Sequence, residues 1–296
     1  ISLRQMAWGI IGGLPSEHAV PLIRESLLDL RDGNSNRATG LDLVMAAQKR
    51  EEQSIKSALK DYEASLPEDD PLAIWKTSLA GGDANRGFKV FQTHAAAQCM
   101  RCHRHEPGHS EGGEAGPNLM GVALRHDARG LLESLILPHA EIADGFGVAE
   151  VKIKNGTSKS GTIVASTDEY LDLKESESAI WRINLSHLVE KPQPVSAMPA
   201  MGQILSPYET RDVIAWLSTL TKPNSEKSAP YQAKDLSIAD SKKMDEETKS
   251  TEGPALLNPK TDQTVSENNE IAPAVMELGK AQYNLCLGCH GPTGQG

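Results

Sequence analysis

The sequence holds four cysteines, and all four fall in two copies of one pattern: Cys99-x-x-Cys102-His103 and Cys286-x-x-Cys289-His290. Two thiols separated by two residues can add to the two vinyl groups along one porphyrin edge and form thioethers. A histidine directly after the second thiol then lies beneath the iron as its axial ligand. Cys99, Cys102, Cys286 and Cys289 are therefore candidates for haem c attachment, and His103 and His290 for iron ligation. Zinc ribbons also pair Cys-x-x-Cys motifs, but with roughly 15–20 residues between the pairs, and these two lie much further apart. A thioredoxin-type motif belongs beside a βαβ unit, and no such pattern flanks either pair.

Gly116-Pro117-Asn118-Leu119 follows the first motif closely. A ligating histidine commonly donates its second ring N–H to a fixed acceptor, which orients the ring and raises its basicity. A backbone carbonyl near Pro117 is the candidate acceptor; an ordinary Gly-Pro turn is the competing reading. A sixth iron ligand has to come from a Met or His on the other haem face. Met198, in Ser196-Ala197-Met198-Pro199, leads. A thioether favours ferrous iron and closes the metal to substrates. Met201 is its main rival, and Met120, His94, His105 and His109 are further candidates. A lone methionine is more often core filling.

These groups need elements to position them. Apolar residues at helical spacing predict helices over 2–14, 17–30, 37–50, 52–66 and 71–79. Residues 81–221 read as one unit: a helix over 83–93, the motif, a Gly-rich loop over 108–121 and a helix over 129–138. Short strands follow at 148–153, 160–164 and 170–173, with Asn155-Gly156 as a hairpin signal. Ser206-x-x-Glu209 with Pro207 opens a last helix over 206–220. Gly87-x-x-x-Phe91 before the first motif is matched by Gly279-x-x-x-Tyr283 before the second. Glycine lets a neighbouring helix approach, and 213–217 is the natural partner.

The chain has 296 residues and a formal net charge of −10, which suits two or three domains and disfavours nucleic acid as a partner. Aromatics are only 4%, so a core here gains from a bulky cofactor. No apolar run is long enough for a transmembrane segment. Residues 222–270 are polar and read as a flexible linker spanning about 40 Å, and a helix over 272–285 leads to the second motif. The chain starts at Ile1 and contains no signal peptide, so it reads as a segment of a longer protein.

On these residues the sequence resembles a class I type cytochrome c. The matching order is Gly87 and Phe91, Cys99–His103, Gly116–Leu119, Met198-Pro199 and a closing helix with Trp216. More narrowly, 81–221 is similar to the haem-binding domain of planctomycete and verrucomicrobial proteins, through Gly81-Gly82-Asp83, the stretch 131–146 and a β-rich insertion at about 147–190. The resemblance implies a mainly α fold: a HEAT-like helical region over 1–80, a cytochrome c domain over 81–221, the linker, and the truncated start of a second cytochrome c domain over 271–296. It implies haem c on Cys99 and Cys102, iron held by His103 and Met198, and His103 oriented by the Pro117 carbonyl. In the complete protein it implies a second haem at Cys286/Cys289 with His290.

The expected function is electron transfer, relaying electrons from an upstream dehydrogenase domain to the second haem or to a redox protein acceptor. The periplasm or cell envelope is the expected location. The alternative is a dihaem peroxidase-like enzyme with one open haem site. A third reading makes 1–80 a protein-docking scaffold.

Overall fold

The computed structural model describes residues 2–106, 112–176, 178–223 and 231–236. They form two compact units, one drawn from the described residues of 2–141 and 200–223 and the other from those of 142–199 and 231–236.

The first unit is helical. It begins with α1 (Leu3–Gly13), α2 (Ala19–Arg31), α3 (Gly40–Gln48) and α4 (Gln53–Ala64). Ser2 and Gln5 cap α1 reciprocally, each side chain accepting from the other's backbone N–H, so the helix loses little at its free end. α1 packs on α3, and α2 on α4. Between them Ile23, Leu27, Leu43, Ala47, Ile55 and Ala58 form a core. Gly12 sits where α1 meets α3; a Cβ there would lie 2.7 Å from the Ala46 Cα. The single helix expected over 37–50 is divided into a 3-10 turn (Arg37–Thr39) and α3, and 71–79 forms a 3-10 helix over Ala73–Leu79 rather than an α-helix.

The same unit continues with α5 (Ala84–Thr93), α6 (Val122–Arg125), α7 (Ala128–Ile136) and α8 (Pro207–Leu217). α5 and α8 make its most extensive helix contact. Gly87 allows it, because a Cβ there would fall 1.9 Å from the Asp212 carbonyl oxygen. Phe91 then meets Trp216 with ring centroids 4.5 Å apart. Arg86 holds Asp212 with two hydrogen bonds, of 2.7 and 3.0 Å. A buried Arg211–Asp42 ion pair of 2.8 Å ties α8 to α3, so the helices of 1–80 share one unit with those flanking the motif.

The second unit is a sheet of β1 (Gly147–Lys152), β2 (Ser158–Ser166), β3 (Tyr170–Ser176), β4 (Ala179–Asn184), β5 (Val195–Ser196) and β6 (Lys234–Asp235), in the order β5-β1-β2-β3-β4-β6. Neighbours run antiparallel except β6, which lies parallel to β4. Val151, Leu171, Leu173, Ile183, Leu188 and Leu236 fill one face. Asp172, fully buried on β3, accepts two bonds of 2.8 Å from its cross-strand neighbour Arg182 and one of 2.9 Å from the Tyr231 hydroxyl. The hairpin at Asn155-Gly156 is a three-residue loop with only Gly156 in the left-handed region, at φ +94°; Ile153 and Thr157 close it.

The mainly α expectation holds only in part: the described chain is mixed α/β, with β1–β4 lying in the expected β-rich insertion. β4, β5 and β6 were not expected. β6 lies inside 222–270, read from composition as linker, where Tyr231 and Leu236 anchor it through contacts far away in sequence. Among the described residues, no helix is long and apolar enough to cross a membrane.

Candidate functional site

The site is built on one turn after α5. At Gln98 the backbone enters the left-handed region, at φ +44°, which for a non-glycine costs about 1–2 kcal/mol. A 3-10 turn follows over Cys99–Arg101, closed by the Cys102 N–H donating to the Cys99 carbonyl at 3.1 Å. Residues i and i+3 eclipse on such a turn, so the Cys99 and Cys102 side chains emerge on one side. The His103 N–H donates to the same Cys99 carbonyl at 3.0 Å.

The loop after the motif folds back over it. The N–H groups of Gly113, Gly116 and Leu119 donate to the carbonyls of Met100, Cys102 and Arg104, at 2.8, 2.8 and 2.7 Å. This satisfies alternate motif carbonyls and fixes the backbone between the thiols and the histidine. Two glycines make the wrap sterically possible. A Cβ on Gly113 would lie 1.7 Å from the Arg101 carbonyl oxygen, and one on Gly116 would lie 2.6 Å from the His103 ring.

The His103 Nδ1 lies 2.8 Å from the Pro117 carbonyl oxygen. A carbonyl only accepts, so Nδ1 carries the hydrogen and donates it. In the neutral ring Nε2 then holds the lone pair that a metal takes. Burial keeps the imidazole pKa below its ordinary value; the bond to Pro117 pulls the other way and is the smaller effect. Burial also pushes the Cys99 thiol up to about 11, while Cys102 is exposed.

This arrangement carries a pH dependence. On acidification the unfolded chain protonates His103 at its ordinary pKa near 6.5, before the folded chain does. The contribution of neutral His103 is therefore fully present above that pH and is lost as pH falls through the depressed folded value. Urea midpoints of the haem-free chain are expected to fall between pH 7.5 and pH 5, and His103→Gln is expected to flatten the slope. Equal slopes for the two proteins would contradict this.

Cys99, Cys102, His103 and Pro117 thus come together on one turn and one loop. Among the described residues no group of three or more His, Cys, Asp or Glu converges as ligands of a bare metal ion do, so Cys99, Cys102 and His103 do not form a zinc-type cluster. Two thiols on one side of a turn, beside a neutral imidazole with Nε2 available, do fit haem c.

The other candidates are dispersed. Met198 belongs to the sheet unit, is half-buried, and its N–H donates to Ser196 Oγ at 3.1 Å. Met201 belongs to the helical unit, where it is 3% exposed and opens a 3-10 turn packed on α7 and α8. Met120 is buried. His94 Nδ1 accepts from the Ala97 N–H at 3.0 Å. The His105 ring is packed among Phe88, Phe91 and Trp216, with centroids 5.4–5.6 Å away. His109, Cys286, Cys289 and His290, the Gly279/Tyr283 pattern and the helix expected over 272–285 lie outside the described residues.

Sequence reasoning missed the three-bond wrap of 113–119 over the motif, for which the glycine spacing was the available signal. It also missed a cleft of about 610 Å³ lined by Phe88, His105, Met120 and Trp216. None of Cys99, Cys102, His103 and Pro117 lines it.

No model of a known protein family matches the chain. A search of curated proteins likewise gave no match.

Proposed function

We propose that the chain carries haem c on Cys99 and Cys102 and serves single-electron transfer, with His103 and Met198 as the iron ligands. The observation that supports this best is the state of His103. Its Nδ1–H is committed to the Pro117 carbonyl and its Nε2 is available, beside two thiols on one turn. When bound, haem c supplies an iron that gains and loses one electron.

The chain's own residues prepare the place for it. The Pro117 carbonyl fixes the His103 tautomer and raises the basicity of Nε2. Gly116 leaves room for the ring, and the bonds from Gly113, Gly116 and Leu119 hold the turn still. Met198 is favoured over Met201 because Met201 is spent on the helical core. A thioether at the sixth position raises the potential and suits a carrier rather than a catalyst.

The resemblance to class I cytochromes c, in the planctomycete and verrucomicrobial form with HEAT-like helices, supports the wider reading. In it a dehydrogenase domain supplies electrons, and a second haem at Cys286/Cys289 with His290, or a redox protein, accepts them. This takes place in the periplasm or cell envelope.

The test is the absorption spectrum of protein matured with haem c, with Cys286→Ser and Cys289→Ser to leave one haem. The weak ferric methionine–iron band is expected, and Met198→Ala is expected to abolish it. A band that survives Met198→Ala removes Met198 as a ligand. No band in the parent means an open or His-ligated iron and shifts the reading toward a peroxidase.

A further inference from the structure

The two thiols of the Cys99–His103 turn are not equivalent. Cys99 opens the 3-10 turn and is partly buried, while Cys102 closes it and is exposed. The backbone holds this difference in place. The Cys99 carbonyl accepts from both the Cys102 and the His103 N–H, at 3.1 and 3.0 Å, and the Cys102 carbonyl accepts from the Gly116 N–H at 2.8 Å. Exchanging the surroundings of the two residues would mean breaking these bonds. Ala97, two residues before Cys99, is itself buried, so Cys99 follows directly from the interior of the helical unit.

We propose that the two thiols take haem in a fixed order, Cys102 first and Cys99 second; this rests on the haem c reading above. In each addition the Sγ–H bond breaks and the sulfur bonds to the vinyl carbon next to the ring. The hydrogen ends on the terminal vinyl carbon, and the C=C π bond is consumed. There is no net oxidation or reduction, so no further reactant is needed. The first addition is bimolecular, and an exposed thiol meets the incoming macrocycle without any opening of the fold. The second addition is intramolecular. A tethered reactant is presented at high effective concentration, which offsets slow access to a partly buried thiol. The reverse order would put the partly buried thiol in the bimolecular step, where nothing offsets its access. Cys102 is also the neighbour of His103, so the first thioether forms beside the residue proposed to hold the iron.

The full chain with Cys286→Ser and Cys289→Ser tests the order. Iodoacetamide is added to the haem-free protein, and peptide mass spectrometry reads each cysteine separately. Cys102 is expected to be alkylated about tenfold faster than Cys99, and the difference is expected to vanish in urea. In cells able to attach haem c, Cys99→Ser is expected to keep haem through one thioether, and Cys102→Ser to carry about tenfold less. Equal alkylation rates without urea, or as much haem on Cys102→Ser as on Cys99→Ser, overturn the order and leave haem attachment standing. A parent that takes no haem on either cysteine overturns the haem c reading, and the order with it.

Discussion

His103→Ala is expected to abolish the low-spin spectrum of the haem at Cys99/Cys102 and to cut the yield of haem-loaded protein at least tenfold. Altering only a partner of a metal-bound histidine typically costs 10–100-fold in affinity or activity, so removing the ligand itself costs no less. Among the described residues no neighbouring imidazole stands ready to replace it. His105 is two residues away, but its ring is held among Phe88, Phe91 and Trp216. The space the ring vacates is bounded by Gly116 and the Pro117 carbonyl, which together fit a free imidazole. Added imidazole is therefore expected to bring the low-spin spectrum back. The measurement is made in the Cys286→Ser, Cys289→Ser background. An unchanged spectrum in His103→Ala would remove His103 as a ligand.

Gly87→Val is expected to be the most damaging substitution for the fold, costing on the order of 4 kcal/mol. The added Cβ would stand 1.9 Å from the Asp212 carbonyl oxygen and 2.9 Å from the Trp216 Cβ. The first of these is backbone inside α8, so relief requires the two helices to separate. Separation would also loosen the Arg86–Asp212 pair and the Phe91–Trp216 contact. Urea unfolding followed by circular dichroism reads the loss. Lys89→Ala, exposed on the same helix, is the control and is expected to stay within about 0.5 kcal/mol. A midpoint for Gly87→Val close to that of the parent would mean that the α5–α8 contact is not the close approach described.

The Cys99–His103 turn was legible as a candidate because haem c attachment would demand each residue type at a fixed spacing. Gly87 and the Ser206–Glu209 capping box were legible for the same kind of reason, since one residue type satisfies each local requirement. Pro117 was legible as a candidate only, because the sequence does not show which carbonyl a ring N–H reaches. The sheet was less legible. Asp172 interrupts the apolar pattern of β3 and becomes buried only because Arg182 and Tyr231 reach it. β5 and β6 are two residues each and carry no periodicity, so their existence depends on distant contacts. β6 in particular rests on Tyr231 and Leu236, in a stretch whose polarity alone argues for linker. The 3-10 helix over Ala73–Leu79 carries the same apolar residues as an α-helix would, and composition does not separate the two.

The central claim is covalent haem at the first motif. Its most direct test is peptide mapping by mass spectrometry after the chain is produced in cells able to attach haem c. The account expects the peptide containing Cys99, Cys102 and His103 to carry one haem through two thioethers, and to lose it in Cys99→Ser, Cys102→Ser. If that peptide carries two unmodified thiols while the peptide with Cys286 and Cys289 carries haem, the assignment of Cys99 and Cys102 is contradicted.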